Sequence, residues 1–269
     1  MSLPPAVPSA PPAAPAASAA PERDSPAWQA IRHRRRRRHL LTAALLAAGL
    51  LLAVLAAPAD LRGSLWRGAQ ANPVLLTLPV VFSLVALSLL WAAGQAVDSW
   101  VFIALNLRGR RPLWLDWAML GLTQLGSAFI LPPLILALWL ASQTRLAYEL
   151  VLGSLTLWLL VELVKALVGR SRPSVRHIQA RIVGYKQPGR SFPSGHTSQI
   201  FFVITLIIQH FGLGLWPAIG LYLLALLVGI TRIYVGAHYP RDVLAGAVLG
   251  TLWGLLGVII ELPRLVGLR

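Results

Sequence analysis

A histidine four residues before an aspartate, His238 and Asp242, is the pair in this chain best suited to chemistry. Pro240 suits the first position of a helix, placing His238 just outside it and Asp242 in its first turn. A carboxylate there comes within reach of one imidazole nitrogen, fixes the tautomer and favours the cation. The other nitrogen is then free to act as a nucleophile. A helix-start aspartate that only satisfies the dipole would look the same, but Asp242 is the one acid after Glu162 apart from Glu261. Arg232 precedes this pair in the same cluster.

Two further clusters suit an anion. In Phe192-Pro193-Ser194-Gly195-His196-Thr197, Ser194 is placed to cap a helix and Gly195 lets the backbone approach a ligand closely. The N–H groups and positive dipole end of that helix would face an anion, with His196 in the first turn. An ordinary capped helix whose histidine faces lipid headgroups is the plainer alternative. In Lys165-Ala-Leu-Val-Gly-Arg-Ser-Arg172-Pro173, Lys165 and Arg172 stand two helical turns apart and share a face while the helix lasts. Pro173 is expected to end it. Here the plainer alternative is Glu162 pairing with Lys165. Between the two clusters, Gly169 to Gly195 holds Arg170, Arg172, Arg176, His177, Arg181, Lys186 and Arg190 without one carboxylate. A loop of a single sign expects a phosphate-like partner.

The elements that position these residues are membrane helices. Of 269 residues, 57% are hydrophobic and only 12% charged, with no cysteine and a net charge of +15. Mean hydropathy is +0.68. A soluble domain carries about a quarter charged residues, so soluble folds are excluded, and so are disulfides, thiolate metal sites and a cysteine nucleophile. Seven apolar stretches approach the roughly 20 residues a spanning helix needs: 40–57, 74–96, 117–141, 147–168, 196–212, 216–235 and 242–261. The reading is all-α, a multi-spanning transmembrane helical bundle. The first stretch could be a signal peptide ending at Ala57-Pro58-Ala59, but its apolar core exceeds the usual ~7–15 residues, which favours a retained helix.

Residues 1–39 read as a disordered Pro/Ala-rich tail ending in the run Arg34 to Arg38, followed by an extra apolar helix and linker over 40–72 and the bundle proper over 73–269. The Arg run abuts an apolar stretch and lacks interleaved aromatics, so its expected partner is anionic lipid headgroups and not nucleic acid. Asp98 to Asp116, with Trp100, Trp114, Trp117, Arg108, Arg110 and Arg111, reads as an interfacial segment with an aromatic belt and snorkelling arginines. Counting spans, the three clusters all emerge at one membrane face.

Taken together, Lys165 with Arg172-Pro173, then Pro193-Ser194-Gly195-His196, then Arg232, His238 and Asp242 resemble the three-part signature of the type 2 phosphatidic acid phosphatase family, related to vanadium haloperoxidases. The spacings match, and Asp98, Asn106, Pro112 and Asp116 are similar to that family's segment before the helices. Thr231 stands where the family usually has Ser. The resemblance implies a six-helix phosphatase core, to which 40–57 adds one helix. It implies that His238 attacks phosphorus, that Asp242 orients and charge-balances it, and that His196 protonates the departing alkoxide. Lys165, Arg172, Arg232, the Ser194 hydroxyl and the Gly195 N–H would bind phosphate oxygens.

Cationic side chains then replace a metal, so no metal and no cofactor are expected. The expected substrate is a lipid phosphate or polyprenyl diphosphate, and the single-sign loop favours the diphosphate. A lipid phosphotransferase on the same site and a non-catalytic lipid-phosphate binder or transporter are the competing readings, and the oligomeric state stays open. Seven spans with the positive-inside rule would put the site in the cytoplasm, whereas the resemblance puts it outside. Both hold if 40–57 lies along the membrane, and an extracytoplasmic site is the expectation.

Overall fold

Polar residues at helical spacing decide where the apolar runs turn. The computed structural model describes residues 59–259 apart from 108, 110 and 178, all within the unit Gly49–Arg269. The tail, the Arg run and the stretch 40–57 lie outside the described residues. Among the described residues every regular element is helical. A helix, α1 (Ala59–Ala71), occupies the segment read as a linker.

The run 74–96 is not one straight helix. It forms α2 (Val74–Ser88) and then α3 (Ala92–Asn106), bent by 92° at residues 89–91. Gln95, Asp98 and Asn106 share one face of α3, and a straight helix would have carried them into lipid. The turn buries Asp98 and Asn106 instead, and Gln95 Nε2 donates to the Leu89 carbonyl, 2.7 Å away, at the end of α2. The segment read as interfacial is therefore in large part a packed helix. Its outer face keeps the expected aromatics: Trp100, Trp114 and Trp117 are all exposed.

The run 117–141 is broken as well. The helix α4 (Leu113–Thr123) passes through a 3-10 turn to Gly126, and α5 (Leu131–Leu140) follows a second turn, with a 66° bend between the halves. Pro132 sits in the first turn of α5, where a missing N–H costs nothing. Gly126 is pressed against the His196 carbonyl, where a Cβ would stand 2.6 Å from the oxygen.

The remaining runs follow the expected order: α6 (Thr144–Val168), a single turn α7 (Pro173–Arg176), α8 (Gly195–His210), α9 (Leu215–Tyr234) and α10 (Pro240–Ile259). The helix from Thr144 and α9 are long and apolar enough to span alone, and the two bent pairs qualify as pairs. The 16 residues of α8 reach only about 24 Å at ~1.5 Å per residue. That helix is the bundle's centre. Phe202 fills a core with Leu146, Leu150, Leu157 and Val161 of α6, and it lies over Gly153, where a Cβ would meet its ring at 2.3 Å.

Gly246, Gly250 and Gly254 make a stripe along α10 that lies directly on α8. A Cβ would come within 2.7 Å of the Ser194 carbonyl, 2.2 Å of the Ser198 carbonyl and 2.6 Å of Thr205 Cβ respectively. Small residues every fourth position let membrane helices meet backbone to backbone. The stripe fixes the distance between the two helix starts that carry His196 and Asp242. Gly250→Leu is therefore expected to lower the midpoint of thermal unfolding in detergent by several degrees and to remove activity in the fraction that folds. Near-native unfolding and activity in this variant would contradict the packing.

Candidate active site

Each predicted residue reaches the site by a different piece of backbone. The helix α6 ends at Val168, where Gly169 adopts a left-handed conformation (φ 66°) and donates to the Lys165 carbonyl. Lys165 and Arg172 therefore do not share a helical face. Pro173 starts the turn α7 instead of ending a helix, and the extended Arg172 before it reaches across to His238. Lys165 makes the plainer contact foreseen for it, Nζ to Glu162 Oε1 at 2.7 Å. It also borders the turn before α8, since a Cβ on Gly195 would lie 3.9 Å from its Nζ.

Five of the eight predicted residues, Lys165, Arg172, Gly195, His196 and His238, line one cavity of about 660 Å³. The other three, Ser194, Arg232 and Asp242, are buried beside it. Ser194 stands at the N-cap of α8, but its side chain makes no capping bond. Its hydroxyl accepts from Thr197 Oγ1 at 2.9 Å, which leaves its own hydrogen available. Its backbone N–H donates to the Asp242 carbonyl at 2.9 Å, tying the starts of α8 and α10 together.

His238 is held differently from the expectation. Its Nδ1 lies 2.7 Å from the Ser191 carbonyl and 3.6 Å from Asp242 Oδ2. A carbonyl only accepts, so Nδ1 carries the hydrogen and Nε2 presents a lone pair. Arg172 Nη1 donates to that Nε2 at 3.2 Å. Burial pushes the imidazole down to about 4, and Arg172 and Arg232 add to the shift while Asp242 opposes it. Unfolded, the ring titrates near 6.5. From 6.5 down to 4, the unfolded chain binds a proton that the folded site refuses, so stability falls over that window on acidification. Thermal unfolding in detergent from pH 7 to 4 should show this loss for the native chain and a smaller one for His238→Asn.

Asp242 stays within ion-pair reach of His238 Nδ1 and also binds other groups. Its Oδ1 accepts from Arg170 Nη1 at 2.6 Å, and its Oδ2 accepts from the Tyr239 N–H at 2.9 Å. The other arm of Arg170 binds Asp98 and Gln95 Oε1, and its guanidinium lies over the Tyr239 ring. Asp98 in turn accepts from Arg241 Nε at 2.8 Å. A buried chain of alternating charge, Asp242–Arg170–Asp98–Arg241, thus runs from the site to the Ser88 carbonyl at the end of α2. Burial works against the charge of Arg170, and the carboxylates of Asp242 and Asp98 on either side of the guanidinium offset it. The backbone of Arg170 also supports the site, since its carbonyl accepts from the Ser191 N–H at 2.9 Å.

The single-sign loop is answered by other elements. Arg170 is taken by Asp98 and Asp242, and Arg181 by a bidentate contact with Asp116. Arg190 covers the end of α6 through the Ala166 carbonyl at 2.8 Å. Of these loop arginines only Arg172 reaches the cavity, so loop charge gives no support to a doubly charged substrate. Asn106 binds the Arg181 and Tyr234 carbonyls, each at 2.8 Å, and pins the loop to the end of α9.

Arg232 is the exception to this pairing. It is 2% exposed; Nη1 donates to Thr123 Oγ1 at 2.7 Å, and Nε and Nη2 have no partner among the described residues. Two buried guanidinium donors beside His238 and Arg172 call for an anion.

Residues 146–264 match the family model described as PAP2 superfamily. Phosphatidylglycerophosphatase B of Bacillus subtilis is 30% identical over 192 residues, which cover 66% of this chain and 89% of that protein. The chain belongs to the PAP2 superfamily. The crystal structure of a transmembrane PAP2-type phosphatidylglycerolphosphate phosphatase from Bacillus subtilis superposes with a TM-score of 0.58 at 29% identity, covering 68% of this chain and 94% of that one. The lipid A 1-phosphatase of Rhizobium johnstonii is 33% identical over 109 residues, 38% of this chain, and there the match spans only 42% of the relative's length.

Within this PAP2 chain, reading residue types and spacing missed Arg170 as the partner of Asp242, Asp98 as its anchor, and Ser191. An acid two residues beyond the apolar run 74–96 was a signal that a buried cation must meet it. A backbone carbonyl such as that of Ser191 leaves no signal in residue types.

Proposed function

We propose that the chain is an integral-membrane, metal-independent phosphatase that hydrolyses a lipid phosphate through a phosphohistidine. The observation that carries this reading is the pair of unpartnered, buried Arg232 donors beside a histidine whose Nδ1–H is committed to the Ser191 carbonyl, which leaves Nε2, in contact with Arg172, as the lone-pair nitrogen. His238 Nε2 forms the bond to phosphorus as the bond to the lipid oxygen breaks. His196 gives its proton to the departing alkoxide. The same histidine then takes a proton from water, whose oxygen attacks phosphorus and breaks the P–N bond, releasing inorganic phosphate and restoring both rings.

Arg172, Arg232, Lys165 and the N–H groups at the start of α8 bind the oxygens on which charge builds up. Phosphoryl transfer is mainly a matter of such positioning and charge stabilisation. A binder or transporter would need the cations but not the two histidines. The nearby carboxylates Asp98 and Asp242 are taken by arginines, which supports activity without a divalent ion.

The test is phosphate release by the detergent-purified chain in chelator from a panel of lipid phosphates and diphosphates. Release is expected to persist in chelator and to fall about a hundredfold in Arg232→Met. Activity that vanishes in chelator and returns with Mg²⁺ would contradict the reading.

We place the site on the extracytoplasmic face. Arg170 and Arg181 hold buried or half-buried carboxylates of other helices and Arg172 lines the cavity, so the fold and the site account for these loop arginines without a topology signal. Tyr185, 78% exposed on that loop, gives the check: Tyr185→Cys in intact cells should react with a membrane-impermeant maleimide, and protection until lysis would reverse the placement.

A further inference from the structure

One polar pair interrupts the apolar part of the cavity. Its wall below the phosphate-binding turn is built from Leu131, Ile135, Val151, Leu155 and Trp158, and among them lie Ser154 of α6 and Gln199 of α8. Gln199 Nε2 donates to Ser154 Oγ at 2.8 Å. Gln199 Oε1 receives no bond and the Ser154 hydroxyl hydrogen finds no acceptor among the described residues, so the pair keeps an uncommitted acceptor and an uncommitted donor.

The depth of this pair discriminates between substrates. Gln199 is four residues beyond Gly195 along α8, about 6 Å at the helical rise. On α6, Val161 is level with Gly195, as a Cβ there would lie 3.7 Å from it. Ser154 is seven residues deeper, about 10 Å. In a phosphorylated diacylglycerol, ester oxygens begin about four bonds from phosphorus and reach roughly 5 to 8 Å. The inner phosphate of a prenyl diphosphate lies only about 3 Å from the outer one, and beyond it the chain is hydrocarbon. At the depth of Gln199 and Ser154 a glycerolipid presents oxygen and a prenyl chain presents nothing polar. The cations that line the cavity, Lys165 and Arg172, are at the upper turn, and Lys165 is already paired with Glu162.

Resting on the phosphatase reading above, we propose that Gln199 and Ser154 select substrates. They favour phosphomonoesters on an oxygen-bearing backbone, a glycerol ester or an acylated sugar, over polyprenyl phosphates and diphosphates. An interhelical bond that only held α6 to α8 would affect every substrate alike, so the ratio between substrates separates selection from structure.

The experiment measures kcat/KM in detergent for phosphatidate, lipid A, undecaprenyl phosphate and undecaprenyl diphosphate, with the native chain, Gln199→Leu and Ser154→Ala. The native chain is expected to favour phosphatidate or lipid A, the preferred one showing which backbone the pair reads. Each variant should lower the ratio of that substrate to the prenyl phosphates by about three- to tenfold. Preference of the native chain for a prenyl substrate, or equal ratios in native chain and both variants, would overturn the selection while leaving the phosphatase reading standing. No release from any of the four lipids would overturn both.

Discussion

His238→Ala abolishes phosphate release, by at least about a thousandfold, while the protein remains folded. Loss of a nucleophile in a concerted site removes nearly all of its rate enhancement, and no second group replaces it. Nε2 is aimed by the Nδ1–H contact to the Ser191 carbonyl, and among the described residues the one other imidazole lining the cavity is His196 at the start of α8. The fold should tolerate the change, because the ring is already uncharged and the Asp242 carboxylate keeps its bonds to Arg170 and the Tyr239 N–H. Unfolding midpoint and phosphate release, measured together on His238→Ala, check this. Residual activity within tenfold of native would remove His238 from the reaction.

Arg170→Met fails in the opposite way: it loses the fold first. Removing one partner from a buried ionic network leaves uncompensated charge and costs about 3–5 kcal/mol. Here a single guanidinium bridges two carboxylates, Asp242 and Asp98, each at most 1% exposed. Arg170→Lys should recover little, since a point charge cannot make both contacts at once. Asp98 keeps Arg241, so Asp242 is the stranded charge; adding Asp242→Asn to Arg170→Met should restore part of the loss, a coupling that a double-mutant cycle in detergent unfolding measures. Additive effects of the two changes would mean that the bridge contributes nothing to the fold.

The candidate site was legible because its residues are expensive where they stand. His238 and Asp242 at a helix start, a Ser-Gly-His turn before an apolar run, and Arg232 inside one are costly choices in a membrane chain, and types and spacing alone bring them out. Of the eight predicted residues, Lys165, Arg172, Gly195, His196 and His238 meet around one cavity, while Asp242, Arg232 and Ser194 pack behind it. The spans were legible where apolar runs are unbroken, as in α6 and α9. Hydropathy averages over a window, so it carried the expected spans straight through residues 89–91 and 127, where the chain bends.

Those bends follow from single residues: Gln95, Asp98 and Asn106 seeking partners, and Gly126 pressed on the His196 carbonyl. Pairing across long sequence distance was not legible at all. The loop's seven cations looked like a ligand site because the acids that answer Arg170 and Arg181 come from α3, α4 and α10. The glycine stripe of α10 is equally silent until α8 is laid against it.

The account turns on a covalent bond between His238 and phosphorus, and that bond can be trapped. The purified chain, mixed in chelator with a lipid phosphate labelled with radioactive phosphorus, is denatured within a single turnover. The label should be found on the protein, stable in alkali and lost in acid as phosphohistidine is, and it should be absent from His238→Ala. Release of phosphate with no labelled protein at any time, or label that survives in His238→Ala, would contradict it.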